Sequence, residues 1–275
     1  MTKKELKTNY QAKIKSIEEK EEELEKEKEE IKSQYKIDLR NLKRKASPKD
    51  EEIYQKRKDL RLPIYTKGEE IFNAVSHIAG GGLAIIMLIV ACYFGTKKFS
   101  TIGFITCFIY GISAITLYTM SAIYHFLNVN KAKQVFQVLD HCTIYVLIVG
   151  TYLPVCVLAL DEIAPYNYLL FALVALLAIC GIALNATMMK KIAVKIVSYT
   201  LYLIIGWIIV FFTPFLLDTI GLNGVIFLIL GGASYTIGAI LYAIGSKKAY
   251  FHSIFHLFVI LGTVLQFLGI TSYLV

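Results

Sequence analysis

The chain has 275 residues, 56% of them hydrophobic, and a formal net charge of +8. Residues 1–70 hold 20 of the 29 Lys+Arg and 17 of the 21 Asp+Glu, which leaves nine basic and four acidic residues from 71 to 275. A water-soluble domain carries about a quarter charged residues, so this deficit excludes an ordinary soluble fold for the larger part of the chain.

The excess positive charge does not point to nucleic acid. The first 70 residues are close to balance, and most of the remaining excess sits in short loops between apolar runs, a pattern of membrane topology. No apolar stretch follows Met1, so no cleavable signal peptide is expected.

Residues 1–45 are rich in Glu and Lys. Ile14, Ile17, Leu24, Ile31, Tyr35 and Leu42 recur at spacings of three, four and seven, a thin heptad stripe interrupted by Glu21 and Lys28. This predicts either a solvated single helix laced with Glu–Lys pairs or a weak coiled coil. The coiled coil would permit self-association or a cytoplasmic partner through residues 1–45. Ser47-Pro48 breaks the helix, and Asp50, Glu51 and Glu52 start another near Lys49. The basic run Lys56 to Arg61 reads as a headgroup-binding cluster or a solvated linker ending at Pro63. Residues 1–64 are therefore expected to form a charged helical arm and linker, and residues 65–275 a membrane domain.

Seven apolar runs follow, at about 75–95, 101–126, 134–160, 165–188, 194–217, 221–245 and 251–274. Each is long enough to cross roughly 30 Å of hydrocarbon as a helix, and helices satisfy their own backbone in lipid. The expected fold class is an all-α membrane protein, a seven-transmembrane helix bundle behind the arm. With the N-terminus cytoplasmic, the inner loops hold Lys131, Lys133, Lys190, Lys191, Lys195, Lys247 and Lys248, whereas the outer loops hold Lys97 and Lys98 with Asp161, Glu162 and Asp218. The positive-inside rule then gives a multi-pass plasma-membrane protein with its C-terminus outside. The five cysteines lie singly inside apolar runs and read as small buried hydrophobes.

In that topology all five histidines lie at the cytoplasmic ends of spans: His77, His125, His141, His252 and His256. Asp140, the one acidic residue within a span, lies at the same depth. Ionisable groups at membrane depth ordinarily face a cavity, a partner or an ion. His252 and His256, at i and i+4, present two imidazoles on one helix face, the usual helical arrangement for one zinc. A chemically active zinc site has three protein ligands and an open position, and His125 is the best third ligand. Ser121 is one turn deeper than His125, and Asp140 can hydrogen-bond a water or a ligand imidazole. Glu70, Asn73 and His77 share a face, either supporting the site or opening span one toward water. His141 points about 100° away from Asp140. Lone histidines such as His77 and His141 are more often interfacial than metal-bound.

At these residues the sequence resembles the hemolysin III family, within the progestin and adipoQ receptor superfamily. The matching pieces are Glu70-Ile-Phe-Asn-Ala-Val-Ser-His77, Ser121-Ala-Ile-Tyr-His125, Asp140-His-Cys-Thr-Ile-Tyr145 running on to Gly150-Thr-Tyr-Leu-Pro154, Gly232-Ala-Ser-Tyr-Thr-Ile-Gly238, and His252-Ser-Ile-Phe-His256. The resemblance covers about residues 65–275. It implies a seven-helix zinc site near the cytoplasmic face, with His125, His252 and His256 as ligands and Asp140 and Ser121 beside them. Alkaline ceramidases in the superfamily imply zinc-dependent hydrolysis of a lipid amide or ester drawn from the inner leaflet. A sensor or regulator of membrane homeostasis is the alternative. Pore formation, which the family name suggests, is opposed by the absence of a repeated polar stripe along the spans.

Overall fold

The computed structural model describes residues 3–43, 48–245 and 248–275. The helix break expected at Ser47-Pro48 begins outside the described residues, as does Lys247. The chain divides into two compact units, Met1–Gln55 and Lys56–Val275. The described residues contain helices, turns and no strands.

The first unit is dominated by α1, Lys3–Lys43. Its heptad residues Ile14, Ile17, Leu24, Ile31 and Tyr35 are all more than half exposed. Along its surface run pairs such as Lys28–Glu25 at 3.0 Å and Lys32–Glu29 at 3.1 Å, which contribute a few tenths of a kcal/mol each. The second helix, α2, spans Pro48–Asp59, with proline in the first turn, where no backbone donor is lost.

The second unit contains α3 (Lys67–Phe126), α4 (Lys131–Pro154), α5 (Tyr166–Met188), α6 (Ile192–Trp207), α7 (Thr213–Gly245) and α8 (Phe251–Tyr273). A π-helical turn, Val155–Ala159, extends α4, and a 3₁₀ turn, Ile208–Phe212, joins α6 to α7. Among the described residues five continuous helical stretches are long and apolar enough to cross a membrane. Their outer faces are apolar: Ile86, Ile89, Leu169, Ile179 and Leu222 are each about 60% exposed or more. Such faces suit hydrocarbon, where the backbone must be satisfied within the helix.

Two of those stretches are interrupted. In α3 the single non-helical residue is Ser100, with φ 59° and ψ −138°. The two halves run back along each other, for Asn73 meets His125 and Gly95 meets Gly103. A Cβ at Gly103 would collide with the Gly95 carbonyl, so this crossing requires glycine. In α7 the break is Gly221, with φ 67°, a conformation glycine adopts without penalty. Beyond it the second half of α7 returns beside α6, where Trp207 Nε1 donates to Thr236 Oγ1 at 2.9 Å.

Capping fixes where the site-bearing helices begin. Thr66 Oγ1 accepts from Glu69 N at 3.1 Å while Glu69 Oε2 accepts from Thr66 N at 2.7 Å, a complete capping box for α3. Glu69 Oε1 also accepts from Tyr250 N at 2.7 Å, which ties the start of α3 to the start of α8. Asn130 caps α4 by accepting from Lys133 N. Deeper in the bundle, Tyr118 donates to Thr263 at 2.8 Å and Tyr152 to the Ile205 carbonyl at 2.7 Å, so buried phenols cross-link α3 to α8 and α4 to α6.

Candidate metal centre

His125 lies in the last turn of α3, and His252 and His256 lie in the first two turns of α8. One helical turn separates the latter two, so both rings leave the same face. The three rings converge edge to edge. Nε2 of His252 is 3.2 Å from Nε2 of His125 and 3.1 Å from Nε2 of His256. A candidate ligand atom from each lies within 4.8 Å of the others. Zinc–nitrogen bonds of about 2.0–2.1 Å in a tetrahedron imply neighbouring nitrogens about 3.3–3.4 Å apart. The observed separations fit that geometry, and the three histidines can hold a metal ion. All are buried, with exposures of 2%, 6% and 1%.

The outer edge of His125 selects its tautomer. Glu70 Oε2 lies 2.7 Å from Nδ1. An ionised carboxylate only accepts, so Nδ1 carries the proton and the Nε2 lone pair faces the other two rings. Glu70 Oε1 meets two cations, Arg57 Nη2 at 2.6 Å and Lys133 Nζ at 3.1 Å. Lys133 also donates to the carbonyls of Tyr124, His125 and Leu127 at 2.7, 3.3 and 3.0 Å. It thereby satisfies main-chain carbonyls at the C-terminal end of α3, where a cation is favoured. Lys133 is 1% exposed, so it is a structural cation rather than the loop charge its position suggested.

The remaining candidates surround the cluster. Asn73 Nδ2 is 3.4 Å from Nδ1 of His125. Ser76 Oγ, which donates to the Asn73 carbonyl, is 3.5 Å from Nδ1 of His256. His77 stacks on His256 with ring centroids 3.7 Å apart, and Tyr65 stacks on His252 at 4.9 Å. His141 turns to a different partner, the Tyr242 hydroxyl at 3.3 Å from its Nε2. Asp140 is half-buried.

A cavity of about 140 Å³ opens beside the histidines. His77, Ser121, Asp140, His141 and His252 line one end, and Thr151, Trp207 and Gln266 line the other. From Asp140 to Thr151 along α4 is about 16 Å, at 1.5 Å per residue. An adjoining cavity of about 50 Å³ shares Thr151, Trp207 and Gln266 and continues to Val155 and Leu216. The walls between are mainly aliphatic and aromatic. At the histidine end, Ser121 Oγ, His252 Nδ1 and both ring nitrogens of His77 are buried without a hydrogen-bonding partner among the described residues.

A profile described as haemolysin-III related matches residues 65–267. The chain belongs to the hemolysin III family. It is 33% identical over 213 residues to Hemolysin-3 of Bacillus cereus, covering 78% of this chain and 94% of that protein. It is 32% identical over 212 residues to the Hemolysin-3 homolog of Bacillus subtilis (strain 168), covering 77% and 97%. Family membership and the apolar helices together make it a multi-pass membrane protein.

Two residues of this hemolysin III protein's site were not legible as such. Arg57 stands in the basic run expected to face lipid headgroups or water. Lys56, Lys58 and Arg61 are exposed, but Arg57 is only 6% exposed and turns inward to Glu70 and the Pro63 carbonyl. No charge pattern separates it from its neighbours. Lys133 did carry a signal, since it lies three residues after the capping Asn130 and close in sequence to the end of α3.

Proposed function

We propose that this protein is a seven-span, zinc-dependent hydrolase of a lipid amide or ester, with its N-terminus in the cytoplasm. The observation that carries the reading is the convergence of three imidazole edges at one end of a long apolar cavity. An acyl chain would fill the aliphatic and aromatic length of that cavity and leave its carbonyl at the histidine end. The breaks at Ser100 and Gly221 support the count of seven, because each converts one long helix into two antiparallel ones. Basic residues of the loops, without the buried Lys133, still favour the inner side.

His125, His252 and His256 would hold the zinc, which supplies Lewis acidity toward water and a carbonyl oxygen. The chain's own groups do the rest. Asp140 lines the cavity and can accept the proton of an attacking water, then return it to the leaving amine or alcohol. Ser121 Oγ, without another partner, can donate to the oxygen that gains charge. Glu70 keeps His125 in the tautomer that offers Nε2.

The test is turnover of a panel of acyl amides and esters by the zinc-loaded protein and by Asp140→Asn. Loss of turnover by about 10²-fold or more, with zinc retained, is the expected result. A wild-type protein that holds zinc and turns over no member of the panel overturns the hydrolase and leaves the membrane-homeostasis regulator as the better reading.

A further inference from the structure

We propose that Arg57, supplied by α2 from outside the family match, is a positioning residue of the metal centre that acts on His125 through Glu70. The proposal rests on the reading of the three histidines as a metal site.

The geometry of one carboxylate carries it. Glu70 has two oxygens and three partners, and they are segregated. Oε1 takes Arg57 at 2.6 Å and Lys133 at 3.1 Å, while Oε2 takes His125 Nδ1 at 2.7 Å. The cations thus fix the carboxylate plane, and the plane aims Oε2 at the imidazole. Lys133 is a poor guide for this purpose. Its ammonium is shared among three main-chain carbonyls as well as Glu70, and a point charge imposes no plane.

Arg57 is different. Its guanidinium is a rigid fork: Nη1 donates to the Pro63 carbonyl at 2.8 Å and Nη2 donates to Glu70. Pro63 belongs to the segment that leads into the capping box of α3, and in that segment Leu62 is buried and the Leu60 carbonyl accepts from Gln134 Nε2 at 2.7 Å. The fork is therefore anchored at both tines. Tyr65, stacked on His252, comes from the same stretch. The residues before the first apolar helix form one wall of the centre, although the family profile begins only at residue 65.

Partners one step removed from a metal commonly change its affinity 10- to 100-fold when lost. The experiment uses the full-length protein in detergent and titrates zinc against a chromophoric chelator for wild type, Arg57→Gln, Glu70→Gln and the double variant. Cobalt(II) absorption is recorded on each. Arg57→Gln is expected to bind zinc about tenfold more weakly and to shift the cobalt bands. The double variant is expected to match Glu70→Gln, since the proposed path from Arg57 to His125 runs through that carboxylate. Wild-type affinity and an unchanged cobalt spectrum in Arg57→Gln overturn the proposal, as do losses that simply multiply in the double variant. If Arg57→Gln is not recovered folded, Arg57→Lys keeps the charge but not the fork. It is expected to weaken zinc binding severalfold, and wild-type affinity in it overturns the proposal equally. His252→Ala serves as the reference. If it and wild type hold equally little zinc, the metal reading falls and takes Arg57 with it, whereas a loss confined to His252→Ala removes Arg57 alone.

Discussion

The histidines of this chain have unequal partners, and the partners separate their roles. His252 meets the Nε2 atoms of His125 and His256, whereas His141 Nε2 meets the Tyr242 hydroxyl. Elemental analysis of purified His252→Ala is expected to show the metal lost, while His141→Ala retains it. Equal content in the two would dissolve the distinction. The spacing of His252 and His256 was readable because a helix repeats every 3.6 residues. His125 was reachable because the expected topology puts it at the same end of its span. The way Glu70 is held was not readable, since Arg57 lies 13 residues away across a turn and sits among exposed cations of the same kind. Burial of one member of a charge run depends on tertiary packing, on which local composition is silent.

Among elements, α3 is the most instructive. Sequence periodicity divided it near residues 95–101, and the reversal occurs at Ser100. The hydrophobic runs and the Lys97-Lys98 pair marked that boundary. The closeness of the two arms was less legible, because it depends on two glycines eight residues apart facing each other, Gly95 and Gly103. Gly103→Val is expected to force the arms apart and lower stability by about 2 kcal/mol or more, read as a lower melting temperature in detergent. The same splaying moves Glu70 away from His125, so zinc affinity should fall with it. An unchanged melting temperature would mean that the contact is not required. The apolar run begins at about 75, whereas the capping box begins the helix at Lys67 and brings Glu70 and Asn73 into its first turns. Glu70, Asn73 and His77 share one helical face, which the sequence left open between the site and water; Glu70 and Asn73 turn to His125.

For the whole molecule, the cavity gives the clearest prospect. The chain has a single tryptophan, Trp207, and it lines both cavities. Its emission therefore reports on their contents. Acyl chains brominated near the tail are expected to quench it saturably, and a non-brominated chain of equal length should relieve the quenching. Quenching that rises linearly with lipid concentration would indicate bulk contact with the bilayer instead. The helical class and the membrane setting follow from composition, because charge depletion over 205 residues leaves no other solvent for these faces. The cavity could not be read from the sequence, since its walls use the same aliphatic and aromatic residues that face lipid elsewhere.

The donors to the centre are also far apart in time of synthesis. His125 and His252 are separated by 127 positions, and every other apolar helix of the unit is translated between or before them. A nascent chain can have Glu70, Arg57 and Lys133 assembled around His125 long before α8 leaves the ribosome. Until it does, no more than one of the three imidazoles exists, and the ion has nowhere to lodge. Any metal ion these histidines hold is therefore captured only at the end of biogenesis, which would distinguish a fully inserted polypeptide from any interrupted product.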